Sequence, residues 1–308
     1  MNVLIPGAGA PAGINTIKSL RLSDYKGKIV ATDSDPLSAG FYLSDYYSVV
    51  PKADEQSFIN ALIQIIKKYD VKVLMPSSGF DIYPYSIHYE RLSEIDVKPI
   101  VSRKEVLDIC RDKLLSYEKL YDKFPFAYSS SSSSQINKFP IISKPRFGKG
   151  SSNIFKIDDI SDLKYVTSKF SNMIFQEYLP GIEFSVDVLS DLNENPIIAI
   201  PRRRIQTKSG ISVKGKIENN KAIEKLCKDV AKYIGIRGPC VIQLKQSESG
   251  EFKIIEINPR LGGGTFFSTL AGANFPYLIL EMVYNNKIIL PKISEITILR
   301  YYEEVIIK

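Results

Sequence analysis

An apolar run over residues 2–6 meets Gly7-Ala8-Gly9-Ala10-Pro11-Ala12-Gly13 and continues as residues 14–22, whose apolar side chains recur at helical spacing. A glycine turn between a strand and a helix commits the chain to a crossover, because the helix packs back on the sheet before the next strand begins. The pattern then repeats. Residues 28–32 form a second apolar run closed by Asp33, residues 58–69 carry Phe58, Leu62, Ile65 and Ile66 at helical spacing, and residues 71–75 form a third run stopped by Pro76-Ser77-Ser78-Gly79. Strand, helix, strand, helix, strand in this order predicts an α/β unit, a doubly wound, Rossmann-like parallel sheet over residues 1–105.

The turn itself is close to a dinucleotide fingerprint, with Asp33 twenty residues after Gly13 in the place of a ribose-binding acid, although it is one residue longer than G-x-G-x-x-G. An NAD(P)-dependent oxidoreductase built on this loop is therefore one reading. Tight strand-to-helix turns want glycine for steric reasons alone, so the loop does not decide. Asp81 and His88, after the third strand, read as parts of a packed loop.

Residue counts narrow the chemistry. Among 308 residues there is one histidine, His88, and three cysteines, Cys110, Cys227 and Cys240. One imidazole rules out a histidine metal cluster, and the chemistry is expected of Lys, Arg, carboxylate, amide and backbone groups. Cysteines odd in number and far apart fit neither a disulfide framework nor a zinc site and read as small buried hydrophobes. The charge balance, 41 − 34 = +7, admits anionic partners. The densest basic run, Arg202-Arg203-Arg204, lacks interleaved aromatics, so a phosphorylated small molecule is expected and nucleic acid is not. No apolar run approaches the roughly 20 residues of a membrane helix, and the start lacks a basic n-region. The expectation is a cytoplasmic protein with no membrane partner.

The second half reads differently. A charged helix is predicted over residues 103–121, and the six serines 129–134 read as a flexible loop or linker. Short strands follow over 139–144, 152–156, 173–177, 183–190 and 196–201, then a helix over 221–234 and strands over 238–245 and 252–257 with a turn at Gly250. This is an α+β pattern with antiparallel pairing.

Three segments there carry chemistry. In the first, Lys144 ends a strand and leads through Pro145-Arg146-Phe147 into Gly148, Lys149, Gly150, Ser151 and Ser152. Glycines let the backbone approach phosphate oxygens, the serines donate, and Lys144 would place an ammonium on them. In the second, Gln176-Glu177-Tyr178-Leu179 puts backbone groups where an adenine edge can pair, and Glu183 six residues beyond Glu177 can accept from ribose hydroxyls. In the third, Glu256 and Asn258 share one face of a strand and Gln243 can lie across a hairpin from them. Three oxygen donors suit Mg²⁺, with Mn²⁺ able to take the same set. Arg260, at the next position of that alternation, would lie beside a transferring phosphoryl group.

With these segments in this order the chain resembles the ATP-grasp superfamily, and more narrowly members similar to the large subunit of carbamoyl phosphate synthetase. The motifs are the N-terminal glycine turn, Arg111-Asp112-Lys113, Lys144-Pro145, Gln176-Glu177-Tyr178-Leu179, Glu183, Gln243 and Glu256-Ile257-Asn258-Pro259-Arg260. The resemblance implies a pre-ATP-grasp domain over 1–105 and an ATP-grasp domain over 106–308, with a small lid subdomain at about 122–180 and an antiparallel sheet. It implies ATP phosphates on Lys113, Lys144 and the Gly148-to-Ser152 loop, adenine on Glu177 and Leu179, ribose on Glu183, metal on Gln243, Glu256 and Asn258, and transition-state charge on Arg260. Arg202 and Arg204, two apart on a strand, would hold a substrate carboxylate, with Lys214 beyond them. The reaction implied is phosphorylation of a carboxylate by ATP, then attack on the acyl phosphate by an amine or similar nucleophile. A homodimer is implied by analogy alone. A nucleotide-binding module without turnover is the second rival reading.

Overall fold

The computed structural model describes residues 1–148, 152–286 and 288–307. Its first part runs β1 (Asn2–Pro6), α1 (Pro11–Arg21), β2 (Ile29–Asp33), β3 (Tyr46–Val49), α2 (Phe58–Lys68), β4 (Val71–Leu74), α3 (Ile82–Ile87), α4 (Tyr89–Ser93) and β5 (Lys98–Pro99). The strands are parallel in the order β3-β2-β1-β4-β5. Val3, Leu4 and Ile5 are fully buried, as a central strand covered on both faces requires. Proline opens α1 at a position whose N–H needs no partner. Gly13 is demanded by packing, since a Cβ there would lie 2.2 Å from the Gly7 carbonyl oxygen.

The single helix expected over 103–121 is two helices, α5 (Lys104–Arg111) and α6 (Lys113–Leu120), broken at Asp112. Asp112 adopts an extended backbone and turns its carboxylate onto the amides of Leu114 and Leu115, capping α6. A capping acid inside a helical pattern restarts the helix, and spacing alone does not reveal it.

Next come β6 (Ser129–Ser130), β7 (Ile141–Pro145), β8 (Phe155–Ile157), α7 (Ile160–Lys169) and β9 (Met173–Glu177), whose strands form an antiparallel sheet in the order β6-β9-β7-β8. The serine run is not a loose linker. Ser129 and Ser130 are buried and pair with Gln176 and Phe175 of β9, and Ser130 Oγ donates to Gln135 Oε1 at 2.6 Å. Strand pairing and side-chain partners satisfy a polar segment that has no apolar side chain to bury.

The last part contains β10 (Glu183–Ser190), β11 (Pro196–Lys208), β12 (Ile211–Ile217), α8 (Lys221–Ile234), β13 (Gly238–Gln246), β14 (Phe252–Asn258), α9 (Phe266–Leu270), α10 (Phe275–Val283) and β15 (Thr297–Leu299). Its six strands pair antiparallel in the order β14-β13-β10-β11-β12-β15. β11 continues to Lys208, beyond the Pro201 end expected for it, and turns through Ser209 and Gly210, both at positive φ as a tight two-residue hairpin needs. The arginines 202–204 thereby become strand residues. α8 is capped by Asn220 and ended by Gly235 in the left-handed region, and it lays Ile223, Cys227, Val230 and Ala231 on the sheet. Cys110, Cys227 and Cys240 are free and buried in this core, where burial pushes the Cys110 thiol up to about 12. A second core joins Val3, Ile5 and Ile17 of the first part to Ile200, Ile217, Phe267 and Phe275 of the last. The parallel and six-stranded sheets therefore share one apolar core. No helix among the described residues is long and apolar enough to cross a membrane.

Candidate active site

At the carboxyl ends of β1 and β4 the strand order reverses, and crevices in open α/β sheets form at such points. Here the crevice is continuous with a cleft of about 580 Å³ that reaches across β7 and β9 to β10, β11, β13 and β14. Lys113, Lys144, Gly148, Ser152, Glu177, Leu179, Glu183, Arg202, Arg204, Gln243, Glu256, Asn258 and Arg260 all line it. Gly150 and Ser151 lie outside the described residues. Lys214 is exposed on β12 and does not line the cleft.

Two lysines meet over the middle of the cleft. Lys144 is buried at the end of β7, and its Nζ donates to Gln176 Oε1 and to the Ile255 carbonyl, both at 2.9 Å. Burial pushes its pKa down to about 8; Glu256 opposes this and Lys113 adds to it. Lys113 opens α6 and donates from Nζ to the Gly148 carbonyl at 3.2 Å, with Glu256 Oε1 3.5 Å away. Its placement depends on two residues that motif reading passed over. Arg146, just after β7, donates from Nε to Asp112 Oδ1 and Oδ2 at 2.8 and 2.9 Å and from a terminal nitrogen to Oδ2 at 2.6 Å. The capping acid of α6 is thus clamped to the root of the Gly148 loop. Both residues stand inside quoted motifs, and their opposite charges were the available signal.

The oxygen donors behave as strand alternation requires. Gln243 and Glu256 are directly paired across β13 and β14, and Asn258 follows two residues on. Among the described residues no group of three or more His, Cys, Asp or Glu gathers as a metal cage. One carboxylate with two amides fits Mg²⁺, a hard cation that completes its shell with phosphates and water. Arg260 falls past the end of β14 instead of continuing the strand, because the segment turns at Pro259. It still reaches the cleft, where its guanidinium donates to the Leu261 carbonyl at 2.9 Å; burial disfavours its charge and Glu256 offsets that.

Glu177 is engaged within the protein. Its carboxylate accepts from Lys253 Nζ at 2.8 and 3.0 Å and from the Tyr128 amide at 2.8 Å. Leu179, Ile142, Ile154 and Ile255 give this end an apolar wall, of which sequence reading identified only Leu179.

Arg202 and Arg204 do not present themselves as a free pair for a substrate carboxylate. Arg202 is 2% exposed and bonds Asp187 from Nε at 3.2 Å, with the Gly264 backbone against its guanidinium. Arg204 is paired with Glu183 and donates to the Gly210 carbonyl at 2.7 Å. Each arginine had an acid on the adjacent strand β10, a cross-strand relationship that only the register reveals.

The N-terminal glycine turn is closed on itself. Gly9 donates its N–H to Asp33 Oδ2 at 2.8 Å, Asp35 donates to Oδ1 at 3.1 Å, and a Cβ on Gly9 would lie 2.7 Å from Ser38 Oγ. Asp33 therefore holds the turn, and residues 38–40 pack over it. The turn still lends Ala10, Pro11 and Ala12 to the cleft wall.

Residues 169–305 match the family described as ATP-grasp in the biosynthetic pathway with Ter operon, and residues 3–100 match the PylC-like N-terminal domain. The carbamoyl-phosphate synthase of Methanobrevibacter smithii is 22% identical over 260 residues, covering 78% of this chain and 70% of the relative. The carbamoyl phosphate synthase large chain of Clostridium botulinum is 24% identical over 274 residues, which is 81% of this chain but only 25% of the relative. The crystal structure of Campylobacter jejuni biotin carboxylase in its β-γ-ATP complex superposes with a TM-score of 0.73 at 16% identity, covering 95% of this chain and 73% of that one. Its likeness extends to the fold. The two family matches follow one another along this fold, a PylC-like N-terminal match over the parallel sheet and an ATP-grasp match over the six-stranded sheet.

Proposed function

We propose that this protein is an ATP- and Mg²⁺-dependent ligase that phosphorylates a substrate carboxylate and joins it to an amine or a similar nucleophile. The reading is carried by one observation: Lys144, Lys113 and Arg260 converge on the face that pairs Glu256 with Gln243. Phosphoryl transfer needs positioning and charge neutralisation more than acid–base groups, which suits a cleft of lysine, arginine, amide and carboxylate in a chain with one histidine.

In this reading the apolar wall around Leu179 takes adenine and Glu183 the ribose, while Lys144, Lys113 and the Gly148 to Ser152 loop bind phosphate oxygens. Gln243, Glu256 and Asn258 would hold Mg²⁺, which supplies charge neutralisation on the phosphates when bound. A carboxylate oxygen attacks the γ-phosphorus and ADP leaves. The nucleophile then attacks the acyl carbon, phosphate leaves, and the nucleophile gives up its proton. Arg260 lies where charge develops on the transferring group. The sheet β6-β9-β7-β8 would serve as the lid, at about residues 122–180, that covers the nucleotide. Titration of ADP release with Mg²⁺ against a panel of carboxylic and amino acids tests this reading. Mg²⁺-dependent release stimulated by a carboxylate supports it, and NAD(P) binding without ADP release overturns it in favour of an oxidoreductase. The inward turn of Asp33 argues against the latter.

A further inference from the structure

Arg204 is a buried cation whose partners are incompletely matched to it. Its side chain is 7% exposed, one terminal nitrogen bonds Glu183, the other bonds the Gly210 carbonyl, and Nε is buried with no hydrogen-bond partner among the described residues. Burial and the nearby Arg202 disfavour the Arg204 charge, and Glu183 is the main group that offsets them. Arg202 has its own acid in Asp187, so the two arginines are not equivalent. Glu183 is also the residue assigned above to ribose hydroxyls. One carboxylate thus faces two claims.

We propose that Glu183 and Arg204 form a latch that the ribose of the nucleotide opens, and that the released Arg204 then serves the acceptor end of the cleft; this rests on the nucleotide reading above. Hydroxyls that occupy Glu183 draw it away from Arg204 and leave a buried guanidinium held only by the Gly210 carbonyl. An incoming carboxylate would restore the lost compensation. Nucleotide binding and acceptor binding become coupled, with the nucleotide favoured first, and linkage requires the acceptor to strengthen nucleotide binding by the same factor.

The latch is read from a ratio of affinities. Binding of Mg·ADP and of Mg·2′,3′-dideoxy-ADP is measured by calorimetry for the wild-type protein and for Arg204→Gln, with thermal unfolding of both as a control on folding. General loss of positive charge or a partly loosened fold acts on both nucleotides alike and cancels in the ratio. Removing the competitor for Glu183 raises the preference for ADP over the dideoxy analogue about fivefold, and Arg204→Lys gives an intermediate value. An unchanged or reduced ratio in a protein that binds ADP overturns the latch alone. Failure of the wild type to bind ADP overturns the nucleotide reading and the latch with it.

Discussion

Asp187 and Arg202 form a buried ion pair on adjoining strands, with the Arg202 Nε 3.2 Å from Asp187 Oδ2 and exposures of 1% and 2%. Asp187 also accepts from Thr265 Oγ1 at 3.0 Å and Ser268 Oγ at 2.6 Å, so a single acid ties β10 and β11 to the segment after β14. Asp187→Ala leaves an uncompensated buried guanidinium and should cost about 3–5 kcal/mol in urea unfolding. Replacing both, as Asp187→Leu with Arg202→Met, should recover most of that loss. A single variant with wild-type stability contradicts the pairing.

The Asp112–Arg146 clamp predicts a pH dependence. Burial pulls the Asp112 carboxyl up, but Arg146 and the amides of Leu115 and Leu114 outweigh it and hold it below the ordinary range. A depressed carboxyl pKa contributes stability that is complete above the unfolded value of about 4 and is lost as pH falls through the folded value. Asp112→Asn should therefore be less stable than the wild type at pH 7, and the difference should shrink on acidification below about pH 4. Chemical unfolding at a series of pH values reads it. A difference that persists undiminished at pH 2 contradicts the clamp.

Lys144 predicts the opposite slope for nucleotide affinity. With its pKa pushed down to about 8, its ammonium is lost as pH rises through that value, and a phosphate contact goes with it. Mg·ADP affinity should fall above about pH 8 in the wild type and be weaker and flatter in Lys144→Gln. The depressed pKa also means that the folded state binds fewer protons than the unfolded one between about 8 and 10.5, so this residue's contribution to stability rises with pH in that window. Equal pH profiles for wild type and variant would remove Lys144 from the phosphate site.

Glu256 separates fold from chemistry. Glu256 lies 3.5 Å from Lys113 and offsets the burial of Lys144 and Arg260, so Glu256→Gln, which keeps the shape and removes the charge, should cost about 1–3 kcal/mol and still fold. Mg²⁺-dependent ADP release should fall about 100-fold or more. Turnover at the wild-type level in a folded variant sinks the metal assignment.

What could be read from the sequence was local and periodic. The alternation of Glu256 and Asn258 on β14, the Lys144 strand end and the glycine turn after β1 are all fixed by neighbours a few residues apart. The break at Asp112 was hidden because a capping acid looks like any other charged residue in a helical pattern until its amide partners are seen. The ordering of Ser129 and Ser130 depends on β9, nearly fifty positions away. The engagement of Arg202 and Arg204 by Asp187 and Glu183 follows from the β10–β11 register, and strand alternation shows only that the two arginines share a face.

Trapping with hydroxylamine reads the acyl phosphate itself. Protein, Mg·ATP and the carboxylate that stimulates ADP release are incubated with hydroxylamine in place of the native nucleophile. The wild-type protein should form an acyl hydroxamate in proportion to ADP, and Glu256→Gln should form neither product. ADP released without hydroxamate, or AMP in place of ADP, would contradict the acyl phosphate.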